Sequence, residues 1–333
     1  MWSWIKRIFI LASCSALLAA GGLGWYAVSP LKMRTDPARF SIKPGASLKS
    51  ATRQIVDSGI GLNVWQFNLL GRVLGKAGAI KAGSYEVGGS ITPLALLDKL
   101  TLGDVVQAEV VLVEGWTFRQ LRAALYSDPD LMHDSAGLSD AEIMDRLGAA
   151  GRSPEGLFFP DTYRFDKGAS DIDVFKAAYA AMDRQLAAAW EHRAPDLPYR
   201  SPYEALIMAS VIEKETGQAS DRAQVAGVFV NRLRIGMMLQ TDPTVIYGMG
   251  EKFDGNLRRK DLRKDTPHNT YTRAGLPPTP IAMPGRAALQ AALNPAKTQA
   301  LYFVARGDGS SEFSRTLAEH ARAVSKYQRR RKP

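Results

Sequence analysis

Glu213 and Glu215 stand two residues apart near the end of the segment SPYEALIMASVIEKETG, Ser201 to Gly217. A carboxyl group serves as a general acid near neutral pH only where its surroundings hold it protonated, so the element that carries it decides. Ser201, Pro202 and Glu204 read as a capping box with proline at the first helical position, and Gly217 reads as a left-handed residue just past the end. One short helix is expected. At about 100° per residue, Ile207, Met208, Val211 and Ile212 form an apolar stripe, and Glu215 lies about 20° from its centre. Glu213 points nearly the opposite way, near Ser210. Burial beside the negative end of the helix dipole should keep Glu215 protonated to higher pH than a free glutamate. The alternative is a glutamate in the last turn that simply rotates out to solvent.

Other polar groups cluster in segments of irregular pattern. Asp161 sits in the aromatic run GLFFPDTYRF, which suits either stacking on sugar rings or a core strand with a turn. Arg232 lies near the end of a helix expected over Asp221 to Ile235, with Val225, Val228, Phe229 and Leu233 inward. Gln240, Thr241 and Asp242 open a polar loop that leads into a short apolar segment. Asn269 and Tyr271 belong to Thr266 to Gly285, where five prolines demand an extended loop or groove wall. Each of these polar residues suits either ligand recognition or loop capping.

The elements that must position them are bounded by composition. The chain has 333 residues, 46% of them hydrophobic, which suits a globular protein of two modest domains. Its single cysteine, Cys14, excludes an intramolecular disulfide and a cysteine zinc cluster. His133, His192, His268 and His320 lack ligand spacing, so no metal and no cofactor is expected. The formal charge of +10 suits anionic polymers or membranes. No P-loop, zinc-finger or RNA-binding signature accompanies it, and nucleic acid is not an expected partner.

Lys6 and Arg7 precede an uncharged run from Ile8 to Val28, long enough to cross a bilayer with the basic flank in the cytoplasm. A cleaved signal peptide is the rival, with small residues at Leu18-Ala19-Ala20-Gly21. Leu11-Ala12-Ser13-Cys14 resembles a lipoprotein box, and a small apolar residue inside the span is the preferred reading of Cys14. The resulting division is residues 1–7 cytoplasmic, 8–28 transmembrane, 29–40 linker, 41–102 a small module, 103–154 a connecting α/β region, 155–328 the catalytic domain, and 329–333 a basic tail. In 41–102 the order strand, helix, helix, strand is similar to LysM modules, which bind N-acetylglucosamine-containing glycans; a plain α/β spacer has the same pattern. A polar join is expected over Ser127 to Gly137, a long scaffold helix over Asp171 to Arg193, and a buried strand over Leu301 to Ala305. The fold class is α+β: one N-terminal transmembrane helix, a LysM-like module, then a mixed α/β catalytic domain.

The motifs FFPDTY, ASVIEKETG, VFVNRLRIGMMLQTDPTVIYG, HNTYTRAGLPPTPIAMPG and LYFVA, in this order behind an anchor, resemble the endolytic murein transglycosylases of the MltG (YceG-like) family. The resemblance spans nearly the whole chain. His268 stands where that family often has tyrosine, and Met283 where it often has asparagine or threonine. The resemblance implies an inner-membrane protein facing the periplasm that cuts peptidoglycan strands internally, after N-acetylmuramic acid, and leaves 1,6-anhydro ends. It implies Glu215 as the catalytic residue, and peptidoglycan synthases with division or elongation machinery as partners. Substrate contacts are expected from Asp161, Arg232, Gln240, Thr241, Asp242, Asn269 and Tyr271. The competing readings are an inactive peptidoglycan-binding scaffold, a muramidase that uses water, and a serine hydrolase built on Ser210 and His268, which lacks the nucleophile elbow.

Overall fold

The computed structural model describes residues 2–329; residues 330–333, most of the expected basic tail, lie outside the described residues. It is a mixed helix and strand protein of the α+β class, and it separates into two compact units.

The first unit holds the residues up to Ala108, with Asp130–Met132 and Arg164–Ala169. Helix α1, Trp2–Val28, is long and apolar enough over Trp4–Val28 to cross a membrane. Strand β1, Ala38–Ile42, is followed by helix α2, Leu48–Asp57, helix α3, Val64–Val73, strand β2, Gly83–Val87, and helix α4, Pro93–Leu102. Polar side chains set the helix starts: Ser47, Asn63 and Thr92 each accept a backbone N–H of the first turn. β1 and β2 pair antiparallel, with Phe40 opposite Tyr85, and these rings stack at 5.4 Å. Their inner faces join Ile55, Phe67, Leu96, Leu97 and Leu100 in one core. The segment expected as a linker is bonded into this unit. Leu31 N–H donates to Ile91 and Arg34 N–H to Gly59, and the Lys32 carbonyl accepts from Gly61.

The second unit takes Glu109–Pro129, His133–Tyr163 and everything from Ser170 onward. Most of the expected connecting region therefore belongs to it. Strand β3, Gln107–Val111, begins among residues of the first unit and leads to helix α5, Phe118–Ser127; strand β4, Leu131–Met132, belongs to the first unit, helix α6, Asp140–Arg146, to the second, and strands β5, Thr162–Asp166, and β6, Ala169–Ser170, each take residues from both. Helix α7, Asp171–Glu191, then precedes α8, Pro202–Glu215, and α9, Ala219–Arg234. Helix α10, Asp242–Met249, runs into a 3-10 turn over Gly250–Lys252, and α11, Arg259–Arg263, follows. Helix α12, Arg286–Leu293, strands β7, Tyr302–Ala305, and β8, Ser311–Ser314, and helix α13, Leu317–Val324, close the unit with a π turn at Ser325–Arg329.

Helix α8 packs against α7, α9, α10 and α12 at the centre of this unit. Every residue from Ala205 to Ile212 is buried, so the expected stripe is in fact part of a helix buried on all sides. The core extends through Phe158, Phe175 and Phe229. GLFF of the aromatic run is buried as irregular chain ahead of β5, not as a strand.

Two further expectations change. Residues 133–137 are tied down rather than a loose join, because the buried Asp171 carboxylate accepts from both Ser135 N–H and the Ser135 hydroxyl. In the LYFVA strand only Val304 is fully buried, since Tyr302 and Phe303 border a cleft. The stretch 266–285 has no helix or strand, as its prolines require.

Candidate active site

Ser201 begins α8 as expected, its hydroxyl accepting Glu204 N–H, although the Glu204 carboxylate reaches Arg200 N–H instead of closing a reciprocal box. The other end differs from expectation. Thr216 is extended, at φ −143° and ψ 126°, and Gly217 has no left-handed conformation. The chain leaves the helix straight after Glu215 and so frees that side chain to face a cleft.

The cleft has a volume of about 910 Å³. Glu215 lines it together with Gln218, Arg232, Gln240, Asp242 and Tyr271 on one side. The β7–β8 hairpin and α13 complete it, through Tyr302, Ser310, Leu317 and His320 among others. Burial raises the Glu215 carboxyl above the ordinary glutamate range. A hydrogen bond from the Thr241 hydroxyl opposes this, the negative charge of Asp242 adds to it, and Arg232 opposes it. Burial is the largest of these causes, so the group leans toward the acid form.

Glu213 has a different environment. It is half-buried and accepts Gly285 N–H at 2.9 Å, at the start of α12. It tethers the end of the proline-rich loop to the central helix.

Thr241 is buried and directs its hydroxyl at Glu215, so it positions the carboxyl rather than lining the cleft. It precedes a helix, not a loop: Asp242 and Pro243 are the first residues of α10. Two threonines that the sequence reading missed lock this corner. Thr270 accepts Thr241 N–H through its hydroxyl and Gln240 N–H through its carbonyl, both at 3.1 Å. Thr244 donates to the Thr241 carbonyl and meets the Thr270 hydroxyl, both at 2.8 Å. Gln240 itself has φ 48°, a left-handed conformation rare for a residue other than glycine, and it turns the chain between these contacts.

Tyr271 donates to Asp242 at 2.6 Å, joining two of the expected residues at the cleft edge. Arg232 donates to the carbonyls of Leu239, at 2.6 Å, and Leu301, at 2.7 Å, and its guanidinium lies over the Tyr302 ring. It neither pairs with an acid nor hangs free; it braces the strand and the Gln240 turn from inside.

Two expected residues lie elsewhere. The Asn269 amide donates to the Leu262 and Lys264 carbonyls and accepts Tyr271 N–H, so all its polar atoms serve the loop. Asp161 accepts the N–H of its neighbour Thr162 and is not among the cleft-lining residues. The sequence reading also missed Tyr302 and His320, whose rings stack at 5.2 Å on the cleft wall. Burial lowers the His320 pKa, and the Arg232 charge adds to this. His268 is half-buried and Met283 buried. His268 meets the Thr279 hydroxyl at 3.0 Å, and the buried Met283 exchanges backbone bonds with Gly115 and Trp116.

No group of three or more metal-ligating side chains occurs among the described residues. A desolvated acid in a polar cleft, oriented by a hydroxyl and flanked by a phenol and a guanidinium, can donate a proton to a leaving group and take one back.

Comparison with known proteins places this geometry in a family. A model described as the YceG-like family matches residues 40–326. The endolytic murein transglycosylase of Bacillus subtilis (strain 168) is 36% identical over 274 residues, covering 75% of this chain and 74% of that protein. That of Streptococcus pneumoniae serotype 2 (strain D39 / NCTC 7466) is 28% identical over 290 residues, covering 74% of this chain and 51% of the relative. The chain thus spans about half the length of the streptococcal protein. A crystal structure of a yceG-like protein from Listeria monocytogenes is similar with a TM-score of 0.53 and 29% identity, covering 86% of this chain and 98% of that one. With most of its length matched by the family model and more than a third of its aligned residues shared with the Bacillus protein, the chain belongs to the YceG-like family.

Proposed function

We propose that the chain is a membrane-anchored lytic transglycosylase that cleaves peptidoglycan glycan strands internally, after N-acetylmuramic acid, leaving 1,6-anhydro-muramyl ends. The observation that carries this reading is the state of Glu215: a carboxyl in the cleft that desolvation biases toward its acid form, oriented by the Thr241 hydroxyl, with Glu213 turned away onto Gly285 N–H. A lytic cut needs one carboxyl group. Glu215 protonates the glycosidic oxygen as the bond to C1 breaks, and its carboxylate then takes the proton of the muramic acid 6-hydroxyl as that oxygen bonds to C1. No water is consumed. Asp242 supplies negative charge and Gln240 and Tyr271 supply polar contacts near the developing oxocarbenium ion, Arg232 supplies positive charge for a muropeptide carboxylate, and Thr241 holds the acid in place.

The names of the Bacillus and Streptococcus relatives support the substrate class. Helix α1, with Lys6 and Arg7 ahead of the apolar run, supports a single-pass anchor with a cytoplasmic N-terminus and a periplasmic remainder. The order β1, α2, α3, β2 supports a LysM-like glycan-binding role for the first unit.

Asp242 favours a second reading, because it lines the same cleft and its charge reaches Glu215. A second carboxylate beside the acid is how hydrolases activate water or form a glycosyl-enzyme. Mass spectrometry of products released from purified peptidoglycan separates the two. Anhydro-muramyl products, lighter than the hydrolytic ones by one water, are expected from the wild type and absent with Glu215→Gln; reducing ends would establish the hydrolase instead.

Thr241→Val tests the orienting bond. The hydroxyl favours the carboxylate, so its loss raises the Glu215 pKa further. The alkaline limb of the kcat/KM profile should move to higher pH, while the plateau falls by up to about 10²-fold as the acid loses its orientation. A lowered plateau with the limb unmoved would place the effect in folding alone.

A further inference from the structure

Helix α3 carries two apolar faces. Phe67, Leu70 and Gly71 turn into the core of the first unit. At about 100° per residue, Trp65, Leu69, Arg72 and Val73 share the opposite face. Trp65 is 72% exposed and Val73 66% exposed, with Leu69 half-buried between them. An isolated exposed apolar residue needs no explanation, whereas a tryptophan and a valine aligned two turns apart on one helix face do.

The place of this face in the unit says what covers it. The last turns of α1 are part of the same core, because Leu23 and Ala27 pack with Phe67 and Leu70. Trp25 and Val28 point away from it and are exposed. The Tyr26 hydroxyl donates to the Asn63 carbonyl at 3.4 Å, and Gly61 N–H donates to the Lys32 carbonyl at 2.7 Å. The start of α3 is therefore fastened to the end of the apolar helix. Trp65 is two residues beyond Asn63, at most about 7 Å of chain away.

We propose that the Trp65, Leu69 and Val73 face of α3 lies flat on the lipid surface around the exit of α1 and forms a second membrane contact. This rests on the reading of α1 as a membrane anchor. With α1 and α3 in one core and no free linker between them, the first unit emerges directly at the headgroups. The chemistry of the face suits that level. A tryptophan ring sits well at a membrane interface, the two aliphatic side chains enter the acyl boundary, and Arg72 extends its guanidinium back to phosphate. Contact along a second helix holds the unit at a fixed height and rotation above the bilayer.

The test uses the full-length protein in vesicles of phosphatidylethanolamine and phosphatidylglycerol. In a Cys14→Ser background, Trp65→Cys, Val73→Cys and Lys43→Cys each carry an environment-sensitive fluorophore, and the unsubstituted chain carries it on Cys14. On binding to vesicles the probes at 65 and 73 should emit at shorter wavelength and be quenched by shallow spin-labelled lipids, while the probe at 43 stays in a water-like, unquenched state. Water-like emission at 65 and 73, quenching at 65 alone, or equal quenching at all three sites would overturn the flat docking of α3. The Cys14 probe reports the anchor separately: deep spin-labelled lipids quench it if α1 spans, so quenching there without quenching at 65 and 73 sinks this inference alone, while loss of both sinks the anchor reading.

Discussion

Glu215→Gln should lower cleavage by about 10²-fold to 10⁴-fold while leaving the fold in place. Glutamine keeps the volume of the side chain and an oxygen for the Thr241 hydroxyl, so the buried corner stays packed and hydrogen-bonded. What disappears is the transferable proton. For the wild type the same argument fixes the direction of the pH profile. A general acid works only while protonated, and burial raises the Glu215 pKa, so kcat/KM should hold into a higher pH range than an ordinary glutamate permits and then fall. Activity measured on purified peptidoglycan, with circular dichroism and thermal melting as folding controls, checks both. Retention of most activity in the variant would move the proton donor elsewhere, with Asp242 next in line.

The second large effect concerns stability and a carboxyl outside the cleft. Glu155 is buried and accepts Phe118 N–H at 3.0 Å and the Tyr247 hydroxyl at 3.1 Å. Burial pushes its pKa from 4.5 up to about 7, against the effect of those bonds. The folded state therefore holds a proton that the unfolded chain releases earlier. Stability from this group is fully present below about pH 4.5 and is lost as pH rises through about 7. Over that window the loss is about 3 kcal/mol, at 1.36 kcal/mol for each pH unit. Glu155→Gln stays neutral throughout, with an oxygen for Phe118 N–H and an NH₂ to donate to Tyr247. Denaturant unfolding from about pH 5 to about pH 8 should show the wild type weakening relative to the variant by this order. Parallel curves would mean that water reaches Glu155 in the folded state.

The parts of the molecule legible in sequence are those written in local patterns. The capping serine and proline of α8 and the proline-rich loop both follow from residues within one or two turns of each other. Glu215 stood out for the same reason. The rest depends on contacts between distant segments. Gly217 reads as a helix stop, but Thr216 turns extended first, and no local rule distinguishes the two. The α8 stripe was a partial view, since a helix enclosed on all sides has no polar face to mark its orientation.

The cleft wall was still less legible. Tyr302 and His320 reach Glu215's cleft from about a hundred residues away, with only an aromatic strand and an ordinary amphipathic helix to announce them. Thr244 and Thr270 look like loop residues until Thr241 is seen between them. Asn269 misled in the opposite direction, because a polar residue in a functional loop can serve the loop alone. The two units were hard to delimit because the chain leaves the first and returns to it twice, at Asp130–Met132 and at Arg164–Ala169.

The complete enclosure of α8 also bears on how the acid meets its substrate. Ala205 to Ile212 have no direction in which to yield without opening the core, so the backbone under Glu215 is preorganised. The entropy of ordering that backbone is lost when the chain folds and not when a glycan arrives, which leaves binding free energy for the distortion of the sugar. Large-to-small substitutions along the hidden length of α8, at Leu206 or Met208, should accordingly reduce turnover more than affinity, even though neither side chain approaches the cleft.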